Sequence, residues 1–174
     1  MGSLGMLNAL ILRNNSFTGK FSVFLKNCYE LIMLDLGDNR FSGRIPYWLG
    51  VNLQMLSLRR NQFSGNLSPS LCDLTNIQLL DLSENNLSGQ IFKCLKNFTA
   101  MSQNVTSTST KDPGAVNFPY STITFSDKFD FSALLMWKGE ERLFKNNKLI
   151  LRTIDLSSNQ LIGDIPEEIG NLIG

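Results

Sequence analysis

The chain has 174 residues, with 16 basic and 15 acidic side chains, a net charge of +1 and no histidine. The even charge balance excludes a strongly basic nucleic-acid binder on bulk charge. The missing histidine removes Ser-His and Cys-His nucleophile pairs, imidazole metal ligands and a histidine pH switch. No run approaches about 18 apolar residues, so no membrane span is predicted within the chain.

Met1 to Leu7 has no basic stretch followed by an apolar one, and it does not read as a signal peptide. Leu4, Leu7, Leu10 and Leu12 already fit a pattern that runs through the rest of the chain. The pattern is fullest at Leu80 to Ile91, as L-x-L-x-x-N-x-L-x-G-x-I. It recurs around Asn15, Asn39, Asn61 and Asn159, with Leu, Phe or Ile in the apolar places. The asparagines at 15, 39, 61, 85 and 159 stand 24, 22, 24 and 74 residues apart. The first three intervals define a repeat, and the fourth is one repeat plus an insertion of about 50 residues. Three segments follow: four repeats over residues 1–101, an insertion over 102–147, and a fifth repeat with the start of the next over 148–174. The chain starts and stops inside the array with no cap at either end, so it reads as a segment of a longer ectodomain or as a truncated product.

The pattern has a physical meaning. Residues in L-x-L alternate on a short strand, so the two apolar ones point inward. One repeat cannot bury that face alone, and neighbours stack into a solenoid of the α/β repeat type with a continuous core. The asparagine ends the strand, where its amide can pair with backbone groups of adjacent repeats. The glycine suits a tight turn, and Ile-Pro after it predicts a second extended segment.

Register places the outward residues in columns. Ala9, Met33, Met55, Leu79 and Thr153 form one; Ile11, Asp35, Ser57, Asp81 and Asp155 the next; then Arg13, Gly37, Arg59, Ser83 and Ser157; then Asn14, Asp38, Arg60, Glu84 and Ser158. Met33, Met55 and Leu79 are predicted to make an exposed apolar strip beside Arg59 and Arg60, a fit for a peptide or protein contact. Asp35, Asp81 and Asp155 read as solvated or paired carboxylates, and no enzyme is predicted.

In the insertion, Ser102 to Ser109 is polar and Asp112-Pro113-Gly114 is a loop signal. Aromatic residues then gather at Phe118, Tyr120, Phe125, Phe129, Phe131 and Trp137. Ala133 to Trp137 and Arg142 to Phe144 read as a hairpin around Gly139-Glu140. The three cysteines match no metal pattern. Cys72 and Cys94 fall at nearly equivalent places of adjacent repeats, so an inter-repeat disulfide and two reduced thiols both fit. Cys28 reads as a small core residue. Glycosylation sequons stand at Asn14, Asn66, Asn86, Asn97 and Asn104.

The form L-x-x-L-x-L-x-x-N-x-L-S-G-x-I-P, fullest over Leu31–Pro46 and Leu151–Pro166, resembles the plant-type leucine-rich repeat. The insertion resembles the island of plant receptor-like proteins and receptor kinases: Lys138-Gly139 is present, with Phe129 and Phe144 where that family has tyrosines. The resemblance implies a right-handed superhelix with a parallel concave sheet. It implies a ligand- and co-receptor-binding segment of a cell-surface receptor-like protein in defence or developmental signalling. The implied partners are a peptide, protein or glycan ligand and co-receptor and adaptor receptor kinases, at the extracellular face of the plasma membrane. No cofactor is implied. The residues implied for the island contact are Phe129, Trp137, Lys138, Gly139 and Phe144. For the concave face they are Met33, Met55, Arg59, Arg60 and Leu79. A receptor-kinase ectodomain, a secreted inhibitor of cell-wall-degrading enzymes and a truncated inactive product are the alternatives.

Overall fold

A computed structural model describes residues 4–20, 23–102, 132–137, 140–145 and 152–172. Each of the first four repeats supplies two strands: β1 (Ala9–Ile11) and β2 (Thr18–Lys20), β3 (Met33–Asp35) and β4 (Arg40–Gly43), β5 (Met55–Ser57) and β6 (Gln62–Asn66), β7 (Leu79–Asp81) and β8 (Asn86–Gly89). The insertion holds β9 (Ser132–Trp137) and β10 (Glu140–Lys145), and the last repeat holds β11 (Thr153–Asp155) and β12 (Gln160–Leu161). The odd strands from β1 to β7 stack in parallel with β11, and the even strands from β2 to β8 with β12. Strand β7 pairs directly with β11, Leu79 opposite Thr153 and Asp81 opposite Asp155, so the stack continues across the insertion.

Alternation sorts the first sheet as the pattern requires. Leu34, Leu56 and Leu80, with Leu36, Leu58 and Leu82 just past the strands, are buried in one core cluster with Phe63, Leu87, Leu71 and Leu95. Full burial of each such side chain contributes about 1.5–3 kcal/mol. A file of aromatic rings runs through the second sheet, Phe17 on Phe41 at 6.0 Å and Phe41 on Phe63 at 6.5 Å, both stacked.

The ladder asparagines do what their chemistry predicts. Asn61 Nδ2 donates to Leu36 O of the preceding repeat and to Leu58 O and Arg59 O of its own. Its Oδ1 accepts from Phe41 N at 2.9 Å. Asn39, Asn85 and Asn159 repeat the same arrangement. One side chain thus satisfies both donors and acceptors at the buried bend.

Two details differ from the sequence reading. The second extended segment precedes Ile-Pro rather than beginning there: β4 ends at Gly43, while Ile45 and Pro46 lie beyond it. The glycine closes that strand, with φ +89° at Gly43 and +85° at Gly65. Only a residue without Cβ adopts this freely. On the far side of four of the five repeats the helical segments are 3-10 turns, such as Pro69–Asp73 and Lys93–Asn97, and the second repeat has only turns between β4 and β5. Two strands and a ladder leave about five residues there, which suits a 3-10 turn better than an α-helix. The one described α-helix is the single turn Thr99–Ser102.

The chain divides into two compact units, residues 1–103 with 152–174, and residues 104–151. In the second, β9 and β10 form an antiparallel hairpin from Ser132 opposite Lys145 to Trp137 opposite Glu140. The strands contain the segments read as a hairpin, Ala133 to Trp137 and Arg142 to Phe144, and Gly139 lies outside the described residues.

Candidate functional site

The residue before each ladder asparagine must turn the chain into the core. Asn14, Asp38, Arg60, Glu84 and Ser158 all do so with left-handed backbone, φ between 50° and 59°. A side chain there costs about 1–2 kcal/mol. In three consecutive repeats it is charged, and stacking sets Asp38, Arg60 and Glu84 side by side. Arg60 Nη1 reaches Asp38 Oδ1 at 3.0 Å, and its Nε reaches Glu84 Oε2 at 2.9 Å.

The network extends inward. Arg13 bonds Asp35 Oδ2 through Nε at 2.8 Å and Asp38 Oδ2 through Nη1 at 2.7 Å. Arg59, fully buried, bonds Glu84 Oε1 through Nη2 at 2.6 Å. Three arginines and three carboxylates thus form one connected chain across four repeats. The bond from Arg60 holds the Glu84 carboxyl below its ordinary value, against its partial burial and with help from the charges of both arginines. Burial works to lower the pKa of Arg13, but the Asp35 bond and the Asp35 and Asp38 charges raise it overall.

Asp35, Asp81 and Asp155 each turn back on the N–H two residues on, at Gly37, Ser83 and Ser157. Asp81 is fully buried, and its Oδ2 has no hydrogen-bond partner among the described residues. Burial raises its pKa; the Ser83 bonds oppose this, Asp155 adds to it, and Arg59 opposes it. Asp35, read from the sequence as a solvated or paired carboxylate, is paired with Arg13, whereas Asp38, Glu84 and Arg13 are only column members in the sequence reading. The signal was the alternation of sign between neighbouring columns.

The apolar strip needs correction. Met33, Met55 and Leu79 occupy the predicted column, but they are 5%, 3% and 1% exposed rather than open to solvent. Each faces a column neighbour across the strand spacing of about 4.8 Å, and Met55 lies between Met33 and Leu79. Arg59 is likewise buried, while Arg60 is half exposed. Of the island residues, Trp137 and Phe144 fall on β9 and β10, opposite Glu140 and Ala133. Phe129, Lys138 and Gly139 lie outside the described residues, as does the sequon at Asn104. Among the other sequons, Asn14, Asn66 and Asn86 are exposed, whereas Asn97 is half buried and donates to Cys72 O at 3.2 Å. Cys72 and Cys94 are joined, their Cα atoms 5.5 Å apart, and Cys28 is a buried free thiol.

A family model described as Leucine Rich Repeat matches residues 30–51, 52–74, 76–98 and 151–172. The chain belongs to the leucine-rich-repeat proteins. The matches bracket the insertion, and β1 and β2 add a further turn ahead of the first of them. The chain of this leucine-rich-repeat protein is 44% identical over 150 residues to receptor-like protein EIX2 of Solanum lycopersicum, covering 84% of this chain and 14% of that one. It is 38% identical over 184 residues to receptor-like protein 46 of Arabidopsis thaliana, covering 97% of this chain and 22% of the relative. Its relatives are thus plant receptor-like proteins, of whose length it spans 14% and 22%. Among solved structures, the Arabidopsis receptor kinase HAESA, in complex with the peptide hormone IDA and the co-receptor SERK1, matches with a TM-score of 0.66. That match is at 27% identity and covers 98% of this chain and 20% of the other.

Proposed function

We propose that this chain is the ligand- and co-receptor-binding segment of a plant cell-surface leucine-rich-repeat receptor-like protein, acting in defence or developmental signalling. One observation carries the reading. The parallel stack continues across an insertion of non-repeat sequence, β7 against β11, so the chain combines an unbroken repeat surface with a separate added unit. Receptor-like protein relatives and the peptide- and SERK1-bound HAESA likeness support this assignment. The mechanism is binding: a peptide, protein or glycan ligand and a co-receptor kinase share a surface and are brought together at the extracellular face of the membrane.

On this reading the island contact is made by Phe129, Trp137, Lys138, Gly139 and Phe144. The exposed edge of the ion network, with Arg60 half exposed, supplies the polar part of the ligand face. The buried Met33, Met55 and Leu79 support that face from below rather than touching the ligand. The test is co-precipitation of a SERK-type co-receptor with the parent receptor in plant tissue. Trp137→Ala with Lys138→Ala is expected to abolish co-precipitation, while Tyr47→Ala, on an exposed side chain, leaves it intact. Undiminished co-precipitation by the island double variant, at equal receptor level, would sink the assignment of the island residues.

A further inference from the structure

One carboxyl arrangement occurs three times in the column of Asp35, Asp81 and Asp155. Asp35 Oδ1 accepts from Gly37 N at 3.0 Å, Asp81 Oδ1 from Ser83 N at 3.1 Å, and Asp155 Oδ1 from Ser157 N at 3.0 Å. With Oδ1 held to its own strand, each carboxyl turns its Oδ2 the same way. At Asp35 that second oxygen takes a cation. Arg13, from the preceding repeat, sets its Nε on Asp35 Oδ2 at 2.8 Å.

At Asp81 the arginine does not arrive. Arg59 holds the place of Arg13 one repeat ahead, but its Nη2 goes to Glu84 Oε1 at 2.6 Å. The residue beneath the guanidinium accounts for the difference. Arg13 lies across Gly37, where an added Cβ would come within 2.9 Å of Cζ and Nη2. In the fourth repeat Ser83 stands in that place and has a Cβ, so the flexible arginine is the part that yields. The Ser83 hydroxyl donates to Asp81 Oδ1 at 2.6 Å. Asp81 Oδ2 is left without a hydrogen-bond partner on a fully buried side chain. Ahead of Asp155 the arginine's place is held by Ser83 itself, which carries no charge.

The charges agree. Arg13, Arg59 and Arg60 are matched by Asp35, Asp38 and Glu84. Asp81 and Asp155 remain, two negative charges directly opposite each other on β7 and β11. Arg152, just ahead of β11, donates to Met101 O. On the other side of Asp81 stands Ser57, whose hydroxyl already accepts from Arg13. Two carboxyls turned alike on neighbouring strands place their Oδ2 atoms about 4.8 Å apart. That is too far to share a proton, which needs about 2.5–3.0 Å. It is twice a calcium–oxygen bond of about 2.3–2.6 Å, whereas magnesium needs about 2.0–2.1 Å. Asp155 is half buried, which gives an ion and its water a way in.

We propose that Asp81 and Asp155 hold a divalent cation, calcium by size, between the fourth and fifth repeats. Each carboxylate supplies its Oδ2, and water completes the shell. Two protein ligands set the affinity at the weak end of calcium sites, about millimolar. The site lies within the repeats and is independent of the receptor reading.

The test is isothermal titration calorimetry of calcium chloride, and separately magnesium chloride, into the full chain after chelator treatment. One calcium per chain is expected, with magnesium weaker. Asp81→Asn should weaken calcium binding at least about tenfold, by loss of ligand charge. Asp155→Ser, which places there the residue type that the third repeat carries as Ser57, should do the same. Ser83→Gly should also weaken it, although no carboxylate is removed, because Arg59 can then lie across position 83 and reach Asp81 as Arg13 reaches Asp35. Asp73→Asn, an exposed carboxylate elsewhere, should change nothing. Far-UV spectra in chelator that match the parent's show each variant to be folded. No calcium uptake by the folded chain at about ten times the expected concentration overturns the proposal. So does calcium binding that both Asp81→Asn and Asp155→Ser leave unchanged, and binding by Ser83→Gly equal to the parent's refutes the diversion of Arg59.

Discussion

Asn61→Ala removes one rung from the middle of the ladder, and the structure sets the size of the effect. Four hydrogen bonds are lost, which taken singly would suggest about 4–6 kcal/mol. The three carbonyls, however, keep other donors. Leu36 O retains Asn39 Nδ2, Leu58 O retains Asn85 Nδ2, and Arg59 O retains the N–H of Asp38. Only Phe41 N is left without the acceptor that the ladder gives it. One stranded N–H at about 2 kcal/mol and three weakened carbonyls at about 0.5 kcal/mol or less each give a loss of about 3 kcal/mol. That is a large share of the 5–15 kcal/mol typical of a folded domain. The assay is urea unfolding followed by far-UV circular dichroism, with the midpoint and slope compared between variants. Asn61→Asp keeps the acceptor for Phe41 but turns a carboxylate toward three carbonyls, so it should cost more than the alanine. A loss under about 1 kcal/mol for the alanine, or a milder aspartate, would refute the reasoning.

Other perturbations have outcomes set by the same contacts. Opening the Cys72–Cys94 bond, by reductant or by Cys72→Ser with Cys94→Ser, frees a closed loop with sequence separation 22. It should lower stability by about 3 kcal/mol in the same urea assay. At Ser158, whose φ is 53°, Ser158→Val should cost at least about 1 kcal/mol, while Ser158→Gly should be neutral or slightly stabilising. Thermal melts of the pair would show this ordering or its reverse. Asp81 has a folded-state pKa raised above its ordinary 3.8. The protonated form is therefore favoured by folding, and the stability this supplies is present below 3.8 and lost as pH rises through the raised value. Asp81→Asn should thus gain on the parent at neutral pH, with the advantage shrinking as the pH falls. Glu84 has the opposite sign, its lowered pKa giving stability above its ordinary 4.5 that is lost on acidification. Glu84→Gln should cost more than Asp38→Asn, because one partner of Glu84 is the fully buried Arg59. Equal costs in a parallel denaturation would count against the network as drawn.

Much of the fold was legible because each repeat states the same local facts. L-x-L fixes which side chains face inward, and an asparagine at the bend has few other ways to satisfy a buried amide. Strand pairing then came out in the register that the columns required, Ala9 with Met33 and on to Thr153. The continuation across the insertion was legible for the same reason, since Ile154 and Asn159 repeat what Leu80 and Asn85 state. What the sequence could not show was burial of the outward columns. Met33 and Arg59 look exposed on a single strand, and their burial is a property of the assembled stack. Nor could it choose partners for the charges. Whether Arg60 reaches Asp38, Glu84 or both depends on the left-handed turn that aims all three, and that turn has no residue type of its own here. The second strand was misplaced because Ile-Pro is a strong local signal, while Arg40–Gly43 becomes a strand only when its neighbours line up beside it.

The direct seam between the fourth and fifth repeats also bears on how this region can vary. Leu87 N and Asn159 Oδ1 meet although 72 residues separate them along the chain. The tether between the two sides of the seam is already long, and the entropy of closing a loop grows only with the logarithm of its length. Doubling the insertion would cost about 0.6 kcal/mol, less than the loss predicted for one missing ladder asparagine. Added or deleted residues at this point are therefore nearly free for the scaffold. The added unit can change length and sequence while the strand pairing and the ladder of the repeats stay the same.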